Sequence, residues 1–133
     1  MIKIIKMEGV IIKKIDPVYH DERGAIVDIL NESVNHVGLI KTKRGNVRAK
    51  HYHKKSVQYS YILSGKFEVI LAKPDNLKEV ERILLNSGEM IIINPNIVHV
   101  FVALEDSDMI DIISLSREGT SYEDDVVRVD IKV

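Results

Sequence analysis

Turn residues interrupt this chain too often for a long helix to form. Short runs rich in valine, isoleucine and tyrosine recur from end to end, bounded by Gly, Pro, Asn, Asp and Ser clusters. β-branched and aromatic residues favour the pleated backbone, and the clusters favour turns. The runs predict strands over residues 3–6, 10–15, 25–30, 37–41, 47–53, 57–63, 66–72, 81–85, 90–93, 98–102, 109–114 and 126–133. Ser64-Gly65 predicts a tight hairpin, and Pro74-Asp75-Asn76, Asn86-Ser87-Gly88-Glu89 and Glu105-Asp106-Ser107-Asp108 predict further turns. No stretch of ten or more residues carries a helical stripe, and residues 76–84 hold one turn at most. Many short strands with turns between them define an all-β sandwich or barrel. No repeat, linker or low-complexity tract divides the 133 residues, so a single domain over 1–133 is expected.

Charge and composition exclude several classes of function. The formal net charge is -1, which provides no basic field to gather nucleic acid or an anionic membrane. There is no cysteine, so disulfides, thiolate nucleophiles and Cys-based zinc sites are absent, as suits a reducing cytosol. Lys3, Lys6 and Glu8 break the first apolar run, which argues against a signal peptide. The runs at 90–93 and 98–104 are far too short to span a bilayer. The expected compartment is the cytoplasm, with no nucleic-acid or membrane partner.

Histidines carry the chemistry. His51 and His53 stand at i and i+2 on a predicted strand, so their side chains point the same way. Gln58 follows on the next strand, and His99 lies downstream in Asn94-Pro95-Asn96-Ile97-Val98-His99. If the shared direction is inward, three imidazoles and an amide converge from separate strands inside a β-walled chamber. Phe101 shares a strand face with His99 and places a ring beside it. On strand 57–63, Gln58, Ser60 and Ile62 take one face and Tyr59, Tyr61 and Leu63 the other. The second face needs a cover, and a homodimer is expected to supply it. Plain alternation puts Arg48 and Lys50 on the side opposite His51 unless a bulge near Gly45 turns the strand.

Gly45, His51, His53, Gln58 and Gly65 stand at fixed spacings, followed by Gly88, Asn94, Asn96 and His99. Together they resemble the two sequence motifs of the cupin superfamily, whose fold is a double-stranded β-helix jelly-roll barrel. The resemblance covers roughly residues 38–104. Gln58, the only glutamine of the chain, stands where cupins usually carry glutamate, and Asn94 and Asn96 replace the usual proline and glycine. Asp21-Glu22-Arg23-Gly24-Ala25-Ile26-Val27-Asp28 resembles an opening segment of deoxysugar 3,5-epimerase cupins. The stretch from Thr42 to His53 is similar to that of capsular-polysaccharide sugar enzymes. Nucleotide-sugar 3,4-ketoisomerases share a similar histidine segment and an acidic tail like Tyr122-Glu123-Asp124-Asp125, although Ile40 and Ala49 replace their tyrosine and glycine.

The resemblance implies an epimerase or isomerase acting on a nucleotide-linked keto sugar, with polysaccharide biosynthesis as its setting. His51 and His53 are the expected catalytic residues. Arg23, Arg48, Tyr61 and Phe101 are the expected substrate contacts. Two chemistries stay open. A divalent metal (zinc, nickel, manganese or iron) would be held by His51, His53, Gln58 and His99 and polarise a carbonyl. Without a metal, a histidine takes a proton from carbon beside a ketone and returns it elsewhere. The alternative from another class is a non-catalytic metal- or small-ligand-binding module, with a metal-dependent dioxygenase behind it.

Overall fold

The computed structural model describes residues 2–133. In chain order its elements are β1 (Ile2–Lys3), β2 (Val10–Lys14), β3 (Tyr19–Asp21), β4 (Gly24–Ile26), β5 (His36–Thr42), β6 (Val47–His53) and β7 (Gln58–Ser64). They continue as β8 (Lys66–Lys73), β9 (Asn76–Asn86), β10 (Glu89–Ile93), β11 (Val98–Ala103), β12 (Ser107–Ile113), α1 (Ser121–Asp125) and β13 (Val126–Arg128). A six-stranded sheet in the order β1-β2-β10-β7-β12-β5 faces a five-stranded sheet in the order β13-β6-β11-β8-β9. All pairings are antiparallel. This is the all-β jelly roll anticipated from the motifs. No described helix is long and apolar enough to cross a membrane.

Most predicted strands form near their expected bounds. The first shrinks to Ile2–Lys3, and the segment expected at 25–30 forms only β4 at Gly24–Ile26, which pairs with the unexpected β3. The final strand stops at Arg128, and one helical turn precedes it. The hairpin between β7 and β8 turns at Gly65, whose φ is 91°. A Cβ there would lie 2.7 Å from the Asp106 carbonyl oxygen and run into the Ser107 side chain, so only glycine fits.

Register sorts the six-stranded sheet into an inner and an outer face. Ile12, Ile91, Ser60, Asp111 and Gly38 form one row across it, with Ile93, Gln58, Ile113 and His36 in the next. Ile12, Ile91 and Ile93 of these rows meet Phe67, Val69, Leu71 and Phe101 of the other sheet in the main core. Toward β5 and β12 the same rows turn polar, and there the core opens into a cavity. The outer rows are Ile11, Ile92, Tyr59, Ile112 and Val37, then Met90, Tyr61, Ile110 and Leu39.

Candidate active site

Strand β6 brings the site together through an irregularity. His99 pairs with His51 and Val100 with Ala49, so Lys50 is skipped and bulges out of the ladder. Ala49 and Lys50 both take positive φ, 76° and 60°, a conformation that non-glycine residues adopt at a cost of about 1 kcal/mol each. The extra residue resets the alternation. Arg48, expected on the far face, therefore lines the same cavity as His51 and His53. Its guanidinium donates to the Thr42 hydroxyl at 3.2 Å and the Lys41 carbonyl at 2.7 Å, which fixes it at the wall.

The cavity holds about 150 Å³ between the sheets. Ile40, Phe101, Met109 and Ile113 supply an apolar side; His51, His53, Gln58, Asp111, Arg117 and Tyr122 supply the polar one. A larger groove of about 600 Å³ lies elsewhere, beside Met7, Lys73, Pro74 and Asn94, but it contains none of the imidazoles.

Three imidazoles meet here as predicted. Ring centroids of His51 lie 5.0 Å from His53 and 4.9 Å from His99, and those of His53 and His99 are 5.6 Å apart. Each ring has a different attachment. His99 is fully buried; its Nδ1–H donates to the Ile97 carbonyl at 2.9 Å, leaving Nε2 without a partner. His53 is bonded at both nitrogens, Nδ1 to Asp125 Oδ2 at 2.9 Å and Nε2 to Gln58 Oε1 at 3.1 Å. Half-buried His51 faces the cavity.

Electrostatics follow from these contacts. Burial, reinforced by the neighbouring His53, lowers the His51 pKa to about 4, so this ring is neutral at pH 7. Burial also holds His99 well below the usual histidine range. Burial pushes the Asp125 carboxyl upward, but hydrogen bonds from Ser56, Lys55 and His53 outweigh it and leave the group below the ordinary range. Asp111 is raised by burial against the opposing Ser60 hydrogen bond.

Two expected substrate contacts lie away from the cavity. Tyr61 belongs to the outer face of the sheet. Arg23 sits in the β3–β4 hairpin, its guanidinium 2.6 Å from Asp21 and 79% exposed. Sequence reasoning missed Asp111 and Arg117 of the polar wall, and it quoted Tyr122 and, behind the wall, Asp125 only as part of an acidic tail without a place in the site. Asp111 had a signal, being the lone carboxylate within the apolar run Met109-Ile110-Asp111-Ile112-Ile113. The other three lie on a C-terminal segment where Arg117 stacks 3.8 Å above the Tyr122 ring and donates to His36 Nε2 at 3.2 Å.

A metal fits this donor set only in part. Ligand atoms of His51, His53 and His99 lie within 4.8 Å of one another, close enough to hold an ion. However, His53 and Gln58, two of the four expected ligands, are bonded to each other. As arranged, the four do not fit a metal ion together.

An antiparallel jelly roll enclosing a histidine-rich cavity defines the class. Residues 38–113 match the family described as Cupin domain, and the chain belongs to that family. Its fold is similar to that of a sugar 3,4-ketoisomerase from Thermoanaerobacterium thermosaccharolyticum, solved with TDP. There the identity is 21%, the match covers 92% of this chain and 90% of that one, and the TM-score is 0.76. It is also similar to a 3,4-ketoisomerase from Helicobacter canadensis, with 20% identity, 90% of both chains and a TM-score of 0.74. A dTDP-4-dehydrorhamnose 3,5-epimerase from Sulfolobus tokodaii matches at 20% identity over 91% of this chain and 78% of its own, with a TM-score of 0.71. No curated protein matches the sequence.

Proposed function

We propose that this protein is an isomerase or epimerase of a nucleotide-linked keto sugar, working by acid–base chemistry at His51. The observation that carries this reading is a neutral imidazole facing a cavity beside a second imidazole clamped by Asp125. Similar folds in the ketoisomerase solved with TDP and in the dTDP-sugar epimerase support the substrate class. His51 takes a proton from the carbon next to the ketone, and the C–H electron pair enters the enolate. Positive charge on Arg48, which lines the same cavity, stabilises the enolate oxygen as charge develops. Return of the proton to the former carbonyl carbon, with the neighbouring hydroxyl proton passing to the former ketone oxygen, gives isomerisation; return to the opposite face of the original carbon gives epimerisation.

A second copy completes the protein in this reading. The cavity, about 150 Å³, is smaller than the roughly 300–1,000 Å³ usual for ligand sites. Val37 and Leu39 on the outer sheet face are 63% and 56% exposed, and Val18, Tyr19 and Ile26 are exposed on the β3–β4 arm. Covering both surfaces in a homodimer would extend the site, with Arg23 carried on that arm as a substrate contact. The cytoplasm remains the proposed compartment.

Small cavity volume also favours a second reading, a module that binds a small ligand or metal without transforming it. The test is incubation with nucleoside-diphosphate 4-keto sugars in D2O, followed by NMR. Deuterium entering the sugar, and its loss in His51→Asn, supports the enzyme. No exchange with any such sugar, together with a stoichiometric metal in untagged protein, supports the module.

A further inference from the structure

The polar chain does not end at Gln58. Its amide Nε2 donates to Ser60 Oγ at 2.9 Å, and the Ser60 hydroxyl donates to Asp111 Oδ1 at 3.1 Å. Gln58 and Ser60 are two residues apart on β7 and so share its inner face, while Asp111 stands opposite Ser60 in register on β12. All three side chains are buried, Ser60 completely. The reaction outlined above uses neither Ser60 nor Asp111.

Hydrogen-bond direction makes this chain informative. A carboxylate only accepts, so an ionised Asp111 requires Ser60 to donate to it. Ser60 oxygen is then free to accept from Gln58, which commits the amide nitrogen to Ser60 and turns the carbonyl oxygen toward His53. A carbonyl oxygen also only accepts, so His53 Nε2 must carry hydrogen. Its Nδ1 already faces the carboxylate of Asp125. Reversal needs an Asp111 that donates: Ser60 would then donate to Gln58, the amide would flip, and Nε2 of His53 would become an acceptor.

We propose that Asp111 is a positioning residue that acts through Ser60 and Gln58 to hold hydrogen on Nε2 of His53. It rests on the acid–base reading of the site and adds a purpose for the amide at position 58. The ring held in this way stands 5.0 Å, centroid to centroid, from that of the proposed base His51. Groups facing His53 are Asp125, Tyr122 and Arg117 from the C-terminal segment, His51 on its own strand, His99 on β11 and Asp111 on β12. Among them, Asp111 reaches His53 through the amide.

The test is the 15N–1H pattern of His53 at neutral pH, recorded without substrate. Wild-type protein is expected to show hydrogen on Nε2. Asp111→Asn, which can donate to Ser60, is expected to flip the Gln58 amide and leave Nε2 of His53 without hydrogen. Adding Gln58→Glu to Asp111→Asn restores an acceptor opposite Nε2 and is expected to restore its hydrogen. With a turning-over substrate, Asp111→Asn should lower kcat on the order of 100-fold while KM changes little. If Nε2 keeps its hydrogen in a folded Asp111→Asn protein, or lacks it in the wild type, the proposal is overturned. Because the spectrum needs no substrate, inactivity toward keto sugars leaves this outcome readable.

Discussion

His53 and Asp125 lie 72 positions apart in the chain, yet Nδ1 and Oδ2 meet at 2.9 Å with both side chains almost fully buried. Backbone N–H groups of Lys55 and Ser56 hold the other carboxylate oxygen at 2.7 and 3.3 Å. One carboxylate thus orients the imidazole and ties the C-terminal segment to the end of β6.

Removing that carboxylate should therefore act on stability and on activity together. Asp125→Ala leaves a buried imidazole and two N–H groups unpaired, which is expected to cost about 3 kcal/mol. Asp125→Asn retains the shape and one acceptor, and should lose much less stability while still losing activity. Denaturant melts of the two variants check the difference. Equal stability of Asp125→Ala and the wild type would show that the pair holds nothing in place.

Ala49 offers a test of the bulge. Its φ of 76° suits glycine and is hostile to a β-branched side chain. Ala49→Val is expected to destabilise by about 2 kcal/mol and to impair the site, because straightening β6 would turn Arg48 away. Ala49→Gly should be close to neutral, since relieved strain offsets the added freedom of the unfolded chain. Thermal midpoints decide it: a tolerated valine would mean that β6 relaxes without the bulge.

The bulge also marks where sequence reasoning stops. His51, His53, Gln58 and His99 were legible because regular alternation and fixed spacings place them on converging strand faces. Arg48 was misplaced because Ala49 and Lys50 carry no glycine to announce a left-handed backbone. Asp125 was invisible as a partner of His53, since three acids stand side by side at 123–125 and only tertiary folding selects one. The β3 strand was missed because Tyr19-His20-Asp21 is followed at once by turn residues and, among the described residues, pairs with the adjacent β4 alone. Its pairing is local, and no core packing accompanies it.

Acid should unfold this protein through its histidines. An unfolded histidine titrates near 6.5, whereas burial lowers folded His51 to about 4 and His99 well below its ordinary value. Below pH 6.5 the unfolded state therefore binds more protons, and the stability present above that pH is lost as pH falls through 4. Asp111 works in the opposite sense, because its raised pKa favours the folded state on protonation, but it is one group against two. Asp125 adds to the loss only below the ordinary carboxylate range. Denaturant midpoints should fall steadily from pH 6.5 to 4, with a shallower slope in His51→Asn. A flat profile over that window would mean that the imidazoles are solvated.

The outer sheet face makes the last prediction. Ile11, Ile92, Tyr59, Ile112 and Val37 form an apolar row in register; Ile112 is buried, and the exposed apolar surface at the β5 end is Val37 with Leu39 of the next row. Val37 and Leu39 lie on β5, the edge strand, which offers unpaired backbone groups as well as apolar surface. A patch of this kind is unfavourable in water and matches a second copy of itself across a two-fold axis. Sedimentation is expected to give twice the 15.1 kDa chain mass. Val37→Glu with Leu39→Glu should shift it to the single-chain mass while the far-ultraviolet circular dichroism stays the same, because both side chains are already more than half exposed. A wild-type protein that sediments as a monomer at micromolar concentration would rule out this face as a stable interface and leave the small cavity to act alone.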